Sequence, residues 1–287
     1  MKPPAFDYHR PESVDETLAL LANVGDDGKV LAGGQSLVPI LNMRLASPVH
    51  LVDINRLADL AYVRAEPGGV RVGALARHAD VERDAALALL REATACVAHA
   101  AVRNRGTSVG SLVHADPAAE LPGVLALLGG TVSLASAAGR REVGAGEFFL
   151  GPLQSATRAD ELAVEAWFPA PPPRSGTAWL EVSRRHGDYA LCGVGALVTL
   201  DEDRRIAAAR AVCVAVGPAP VTVELTDALA GAPADAAAWS QAAALASAAV
   251  EPGDDIHATA AYRRHLAGVL VARAGRAAAA AAREAFG

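Results

Sequence analysis

The chain has 287 residues, of which 52% are hydrophobic and 20% are charged, so it can bury a substantial core and is not a disordered protein. Its net charge is −6 and no long basic run occurs, which gives it no electrostatic reason to bind nucleic acid. The longest uncharged stretch, residues 121–139, contains a Gly-Gly pair and a proline, so it predicts helix, turn and strand rather than a transmembrane segment.

Three cysteines, Cys96, Cys192 and Cys213, lie far apart in the sequence. They form no CxxC pair and cannot supply the four thiolates of a usual iron–sulfur cluster, so we expect no metal site in this chain. Widely spaced cysteines favour a reducing compartment, and the first residues lack the apolar stretch of a signal peptide. Both observations predict a cytoplasmic protein.

The first third of the chain alternates helical and strand patterns. A capping box, with Ser13 three residues before Glu16, predicts the start of a helix whose apolar stripe contains Leu18 and Leu21. After it we predict a strand at 29–32, a helix at 36–45, strands at 49–54 and 70–72, and a helix at 80–93.

A proline cluster divides the rest of the chain. Before it we predict a helix at 118–128 and strands at 131–135 and 162–168. The cluster at 169–173 cannot continue a strand ladder and is typical of an interdomain linker. After it we predict strands at 178–184, 193–200 and 210–216, and alanine-rich helices at 234–250 and 258–285. This pattern indicates an α+β fold in two domains, 1–173 and 174–287, the first with subdomains of about 1–55 and 56–173.

The first segment with possible chemistry is Ala32-Gly33-Gly34-Gln35-Ser36, between a predicted strand and a predicted helix. Two glycines let the backbone approach a ligand closely, and the start of a helix offers free N–H groups to a phosphate. By itself, however, a Gly-Gly turn is more often a plain strand–helix connection. The segment is neither a GxGxxG fingerprint nor a Walker loop.

The second segment, residues 102–111, combines two glycines, three hydroxyl side chains and two arginines. Such a loop suits a pyrophosphate with its ribityl or ribose neighbours, although an irregular polar loop explains the composition equally well. Two segments of this kind in one α/β region favour a dinucleotide.

Both segments belong to an ordered set of short motifs. The set reads A-G-G-Q-S-L-V-P at 32–39, M-R-L-A-S-P at 43–48, L-V-D-I-N at 51–55, V-R-N-R-G-T at 102–107, H-A-D-P-A-A-E-L-P at 114–122 and R-R-H-G-D-Y-A at 184–190. With this set, nearly the whole chain resembles the FAD-binding subunit of the molybdenum hydroxylase family, in particular the medium subunit of carbon-monoxide-dehydrogenase-type enzymes.

The resemblance implies a fold and a bound, non-covalent FAD. The fold is a two-part FAD-binding domain of the PCMH or vanillyl-alcohol-oxidase type, followed by a small α+β domain with a three-stranded sheet and helices. The implied pyrophosphate contacts come from the two loops, Glu120 holds the ribityl chain, and Leu162 and Tyr189 lie near the isoalloxazine. The implied cofactor-binding residues are Ala32, Gly33, Gly34, Gln35, Ser36, Leu37, Thr107, Val109, Gly110, Ser111, Glu120, Leu162 and Tyr189.

The resemblance also implies an electron-transfer subunit. In the family a molybdopterin-binding large subunit oxidises the substrate, and a small subunit carries two [2Fe–2S] clusters. The flavin takes electrons from a cluster and passes them to an external acceptor. No side chain of this chain is needed as a general acid or base. The expected assembly is a dimer of heterotrimers.

The sequence departs from the family pattern at two places. Val109 occupies the first glycine position of the second loop, where valine disfavours a positive φ and brings a bulky Cβ towards the phosphates. We therefore expect FAD to sit differently or bind less tightly there. Arg77 follows Ala76 where the family often has threonines, and it either reaches a phosphate or lies on a helix surface, of which we favour the surface.

Two other interpretations remain open from the sequence. One is a stand-alone FAD-dependent oxidoreductase, which the altered loop at Val109 favours modestly. The other is a binding or scaffold protein whose flavin site has decayed.

Overall fold

The structure is a computed structural model that describes residues 2–235 and 239–285, and the elements below lie in these ranges. Three larger β-sheets and one short hairpin follow one another along the chain, with helices packed on them. No helix in the described part is long and apolar enough to cross a membrane.

The first sheet is small and parallel, in the order β1-β3-β2. Its strands are β1 (Asp7–His9), β2 (Gly28–Leu31) and β3 (His50–Asp53), connected through α1 (Val14–Val24) and α2 (Leu37–Asn42). The predicted capping box is confirmed in part, because Ser13 Oγ accepts a 3.1 Å hydrogen bond from the Glu16 N–H. Short 3₁₀ turns cover Gly25–Asp27 and Ala58–Leu60.

The second sheet is antiparallel, in the order β4-β5-β10-β6-β7. Its strands are β4 (Val63–Glu66), β5 (Gly69–Gly73), β6 (Thr131–Ser136), β7 (Gly139–Gly144) and β10 (Leu162–Pro169). A hairpin of β8 (Phe149–Gly151) and β9 (Gln154–Ser155) precedes β10.

Helices between β5 and β8 cover this second sheet. They are α3 (His78–Asp84), α4 (Ala88–Cys96), α5 (Ala100–Arg103), α6 (Ser108–His114), α7 (Glu120–Leu128) and α8 (Ala145–Phe148). The single helix predicted at 80–93 is wrong, because the backbone is extended at Ala85 and Leu87 and separates α3 from α4. The Arg91 guanidinium donates to the Ala85 carbonyl at 2.6 Å, which satisfies a carbonyl at the break.

The third sheet is an antiparallel meander of β11 (Ser175–Ser183), β12 (Ala190–Leu200), β13 (Ile206–Val214) and β14 (Val221–Glu224). The three long strands were predicted, and the short β14 adds a fourth at the edge. The helices that follow are α9 (Thr226–Leu229), α10 (Trp239–Ala249) and α11 (Ala260–Glu284). Residues 236–238 of the helix predicted at 234–250 lie outside the described residues.

The third sheet is buried on both faces. One face packs against α10 and α11 in a core that contains Val194 and Leu270. The other face packs against the helices of the second sheet, where Trp179 and Val212 share a core with Leu125. Burial on both faces explains why β12 is almost uniformly apolar rather than alternating. The α+β fold class is confirmed, and the domain boundary at residue 173 stays a prediction.

Candidate functional site

The first glycine loop connects β2 to α2. Gly34 has a φ of +74°, a conformation that glycine adopts without strain, so the Gly-Gly pair makes a tight turn. A 3.0 Å bond from the Val38 N–H to the Gly34 carbonyl closes that turn. Ser36 is the N-cap residue of α2, but its hydroxyl makes no capping hydrogen bond. The hydroxyl is therefore not used to stabilise the helix.

The second loop leads into α6 and is fixed to the segment before α3. The His78 N–H donates to the Gly106 carbonyl at 3.0 Å, and the Ser108 N–H donates to the Ala76 carbonyl at 3.1 Å. Thr107 is the N-cap residue of α6, and its hydroxyl also makes no capping hydrogen bond. The loop thus has a fixed backbone and an uncommitted hydroxyl at its end.

The two loops meet backbone to backbone. A Cβ added to Gly33 would collide with the Arg105 carbonyl oxygen and would lie 2.7 Å from the Gly106 Cα and 2.9 Å from the Thr107 nitrogen. Only glycine fits at such an approach. Segments about 70 residues apart in the sequence therefore form one continuous surface.

The two hydroxyl-bearing N-cap residues at this surface differ from the two others in the described chain. Ser13 at α1 and Thr259 at α11 both accept a hydrogen bond from the third helical N–H, whereas Ser36 and Thr107 do not. Hydroxyls in this position normally cap their own helix. Since α2 and α6 are short, we assign the anion-binding capacity here to hydroxyls and loop N–H groups rather than to a helix dipole. These donors fit a pyrophosphate.

Val109 does not create the steric conflict that its sequence position predicts. The residue lies in the first turn of α6 with helical backbone, and it is not among the residues with positive φ. Its side chain is 2% exposed and packs in the core of the second sheet. The first hydrogen bond of α6 runs from the Ser111 N–H to the Thr107 carbonyl. The N–H groups of Val109 and Gly110 precede this bond. The expectation of a bulky Cβ towards the phosphates is therefore wrong.

The surface position favoured for Arg77 is also wrong. Arg77 is half-buried, and its guanidinium donates to the Arg105 carbonyl at 2.6 Å and to Asn55 Oδ1 at 2.8 Å. The sequence around Arg77 and Asn55 does not predict that their side chains meet.

Three glutamates lie between the second and third sheets. Glu120, the first residue of α7, is buried, and burial followed by the charge of Glu181 raises its pKa to about 8. Burial raises the pKa of Glu181 to about 7, although a 3.4 Å hydrogen bond from the Trp179 indole opposes the shift. Glu92 accepts from the Trp179 backbone N–H at 3.2 Å. Burial thus favours the protonated form of the Glu120 carboxyl.

Tyr189 lies at a cavity of about 950 Å³ that loops of the third sheet form with residues 116–118, 251–255, His257 and Arg263. Its side chain is largely exposed, and partial burial together with the nearby charges of Asp116 and Glu120 raises its pKa. The contact of Tyr189 with the flavin stays a prediction.

Leu162 is placed differently from the other predicted residues. It lies on β10, is 3% exposed and packs with Leu18 and Val164 in a core that the second sheet shares with the first. Its proximity to the isoalloxazine stays a prediction. In the part of the chain that the structure describes, no group of three or more His, Cys, Asp or Glu side chains is placed to hold a metal ion.

Two family profiles match this chain. The FAD binding domain in molybdopterin dehydrogenase matches residues 4–171, and the CO dehydrogenase flavoprotein C-terminal domain matches residues 177–278. Together they cover most of the sequence.

Similar proteins agree with these profiles. The chain is 41% identical to the 6-hydroxypseudooxynicotine dehydrogenase complex subunit alpha of Paenarthrobacter nicotinovorans, covering 95% of this chain and 94% of that protein. It is similar in structure to carbon monoxide dehydrogenase from Hydrogenophaga pseudoflava, with a TM-score of 0.91, 36% identity, and coverage of 98% of this chain and 99% of that one. For quinoline 2-oxidoreductase from Pseudomonas putida 86 the TM-score is 0.91 and the identity 37%, with both chains covered completely.

The fold and the paired loops define an FAD-binding flavoprotein of the oxidoreductase class. The chain belongs to the molybdenum hydroxylase family, as one of its FAD-binding medium subunits. The predicted resemblance and the predicted cofactor are confirmed. The contacts of individual residues with FAD stay predictions.

Proposed function

We propose that FAD binds where the two loops meet, with its pyrophosphate on the hydroxyls and N–H groups of both. The observation that carries this proposal is the pair of N-cap hydroxyls, Ser36 and Thr107, that do not cap their helices at the point of contact. The proposed contacts are Ala32, Gly33, Gly34, Gln35, Ser36 and Leu37 from the first loop, and Thr107, Val109, Gly110 and Ser111 from the second.

The remaining proposed contacts orient the rest of the cofactor. A protonated Glu120 carboxyl can donate a hydrogen bond to a ribityl hydroxyl, which a carboxylate cannot do. Tyr189 can shield one edge of the ring system from water. Leu162, the first residue of β10, can pack against the ring system.

Bound FAD would supply the exchange between single-electron and two-electron transfer. We propose that the electrons come from [2Fe–2S] clusters of a small partner subunit and leave to an external acceptor, while a molybdopterin-binding large subunit oxidises the substrate. The residues of this chain position the cofactor and exclude water, and none acts as a general acid or base. We propose a dimer of heterotrimers in the cytoplasm.

Purification of the native complex tests this function. We expect molybdenum, iron, flavin and two further chains to co-purify, native mass spectrometry to give two copies of each chain, and substrate to bleach the flavin absorbance only in the complex. A complex without molybdenum and iron would overturn the proposal. An isolated chain that gains no flavin spectrum on addition of FAD would instead favour a decayed site.

The cavity beside Tyr189 supports a second candidate, a stand-alone flavoenzyme. A volume of about 950 Å³ is enough for a small substrate. Reduction of the flavin by a substrate of the isolated chain would decide for this function over the first.

A further inference from the structure

A chain of hydrogen bonds connects the first and second loops, in addition to their direct contact at Gly33. Asn55 Nδ2 donates to the Ala32 carbonyl at 2.8 Å, which fixes the first loop. Arg77 donates to Asn55 Oδ1 at 2.8 Å and, through its other terminal nitrogen, to the Arg105 carbonyl at 2.6 Å, which fixes the second loop. We propose that Arg77 and Asn55 form a latch that sets the spacing of the two loops before FAD binds.

The topology explains why such a latch has an effect. The first loop belongs to the sheet of β1 to β3, and its core contains Val52 and Ile54. The second loop leads into α6, whose residues Val109 and Leu112 pack in the core of the second sheet. The core of the first sheet also contains Leu162 and Val164 of β10, so packing joins the two sheets, and direct contacts between the loops set their spacing within that frame. The latch and the approach of Gly33 to the second loop supply such contacts.

The chemistry of the latch depends on the shape of Arg77 more than on its charge. A guanidinium can donate to two acceptors that lie in different directions, whereas an ammonium is a compact point charge on a flexible stem. Asp53 Oδ1 accepts from both the Asn55 side chain at 2.7 Å and the Asn55 backbone N–H at 2.9 Å, which orients the amide. Arg77 is therefore a positioning residue, and it acts on FAD through the backbone of the loops.

The inference rests on the proposed placement of FAD between the loops, so its test uses two readouts on the full chain. The first is the dissociation constant of FAD for the cofactor-free protein. The second is hydrogen exchange of the amides at 33–37 and 106–111 without FAD, which measures the latch alone. The variants are Arg77→Ala, Arg77→Lys, Asn55→Ala and the Arg77→Ala/Asn55→Ala double variant. Arg140→Ala is the control, because this exposed arginine lies on the edge strand β7 and takes no part in the latch.

We expect Arg77→Ala, Arg77→Lys and Asn55→Ala each to raise the dissociation constant about tenfold and to speed loop exchange, with thermal unfolding nearly unchanged. The double variant should lose little more than either single one, because one broken link already frees the loops. Arg140→Ala should stay within about twofold of the wild type. Wild-type affinity in Arg77→Lys, or unchanged exchange in all three single variants, would overturn the latch. If the wild type binds no FAD, the proposed function fails, and the exchange rates still decide on the latch.

Discussion

Replacing Ser36 by alanine separates a role in binding from a role in folding. The Ser36 hydroxyl makes no capping hydrogen bond, so its loss should change the free energy of unfolding by less than about 0.5 kcal/mol. If the hydroxyl binds a phosphate oxygen, the variant loses a hydrogen bond to a charged group, worth about 1.5–3 kcal/mol. The dissociation constant of FAD should then rise roughly 10- to 100-fold.

Ser13 provides the matched control. It is also an N-cap serine, and its hydroxyl does accept from the Glu16 N–H at 3.1 Å. Ser13→Ala should therefore lower the free energy of unfolding by about 1 kcal/mol and leave FAD affinity unchanged. The two variants should show opposite effects on the two measurements.

The assay combines titration of the cofactor-free chain with FAD, followed by quenching of flavin fluorescence, and urea unfolding of the same preparations. If Ser36→Ala binds FAD as tightly as the wild type, the hydroxyl does not contact the cofactor. If it loses as much unfolding free energy as Ser13→Ala, it caps α2 after all. Either result would refute the assignment of the uncapped hydroxyl to the ligand.

Three further predictions concern the loop contact, the buried glutamate and the shared core. Gly33→Ala should abolish FAD binding because its Cβ forces the loops apart, whereas Gly146→Ala, with open space around its Cα, should bind normally in the same titration. Because the Glu120 pKa is raised from 4.5 to about 8, the cofactor-free folded state holds a proton that the unfolded state has released, so its unfolding free energy falls as the pH rises through that window. Glu120→Gln should make this fall shallower in urea unfolding at about pH 5 and pH 8.5, and an unchanged slope would contradict the buried carboxyl. Trp179→Ala should cost about 3–5 kcal/mol in the same assay, and a loss under about 1 kcal/mol would show that the shared core does not depend on it.

The strands that the sequence failed to predict are mostly at sheet edges. β4 and β7, the two edge strands of the second sheet, contain Arg64, Glu66, Arg140, Arg141 and Glu142. Edge strands need no continuous apolar face, and charges on them prevent pairing with other chains. Central strands such as β5, β10 and β12 are mostly apolar, so the sequence predicted them.

The candidate site was predictable to a similar extent. Glycines and hydroxyl residues concentrated in short segments identified both loops, because close backbone approach restricts those positions to few residue types. Asn55 and Arg77 were not identified as a pair, since their contact spans 22 positions and depends on how two sheets pack. Glu120 was found only through the family resemblance, because nothing in its neighbourhood of the sequence predicts its burial.

The core shared between the second and third sheets has a consequence for motion. Trp179 and Val212 lie beyond the proline cluster, yet they pack with Leu125 from before it. A rigid-body rotation of the two parts of the chain about the prolines would separate these side chains and expose the core. The proline cluster therefore does not act as a hinge. If the flavin edge lies at Tyr189 as proposed, access to it would depend on short segments such as 184–189, and loop movements take nanoseconds to microseconds. Typical turnover takes about a millisecond or longer, so such movements would not limit the proposed electron transfer to an acceptor.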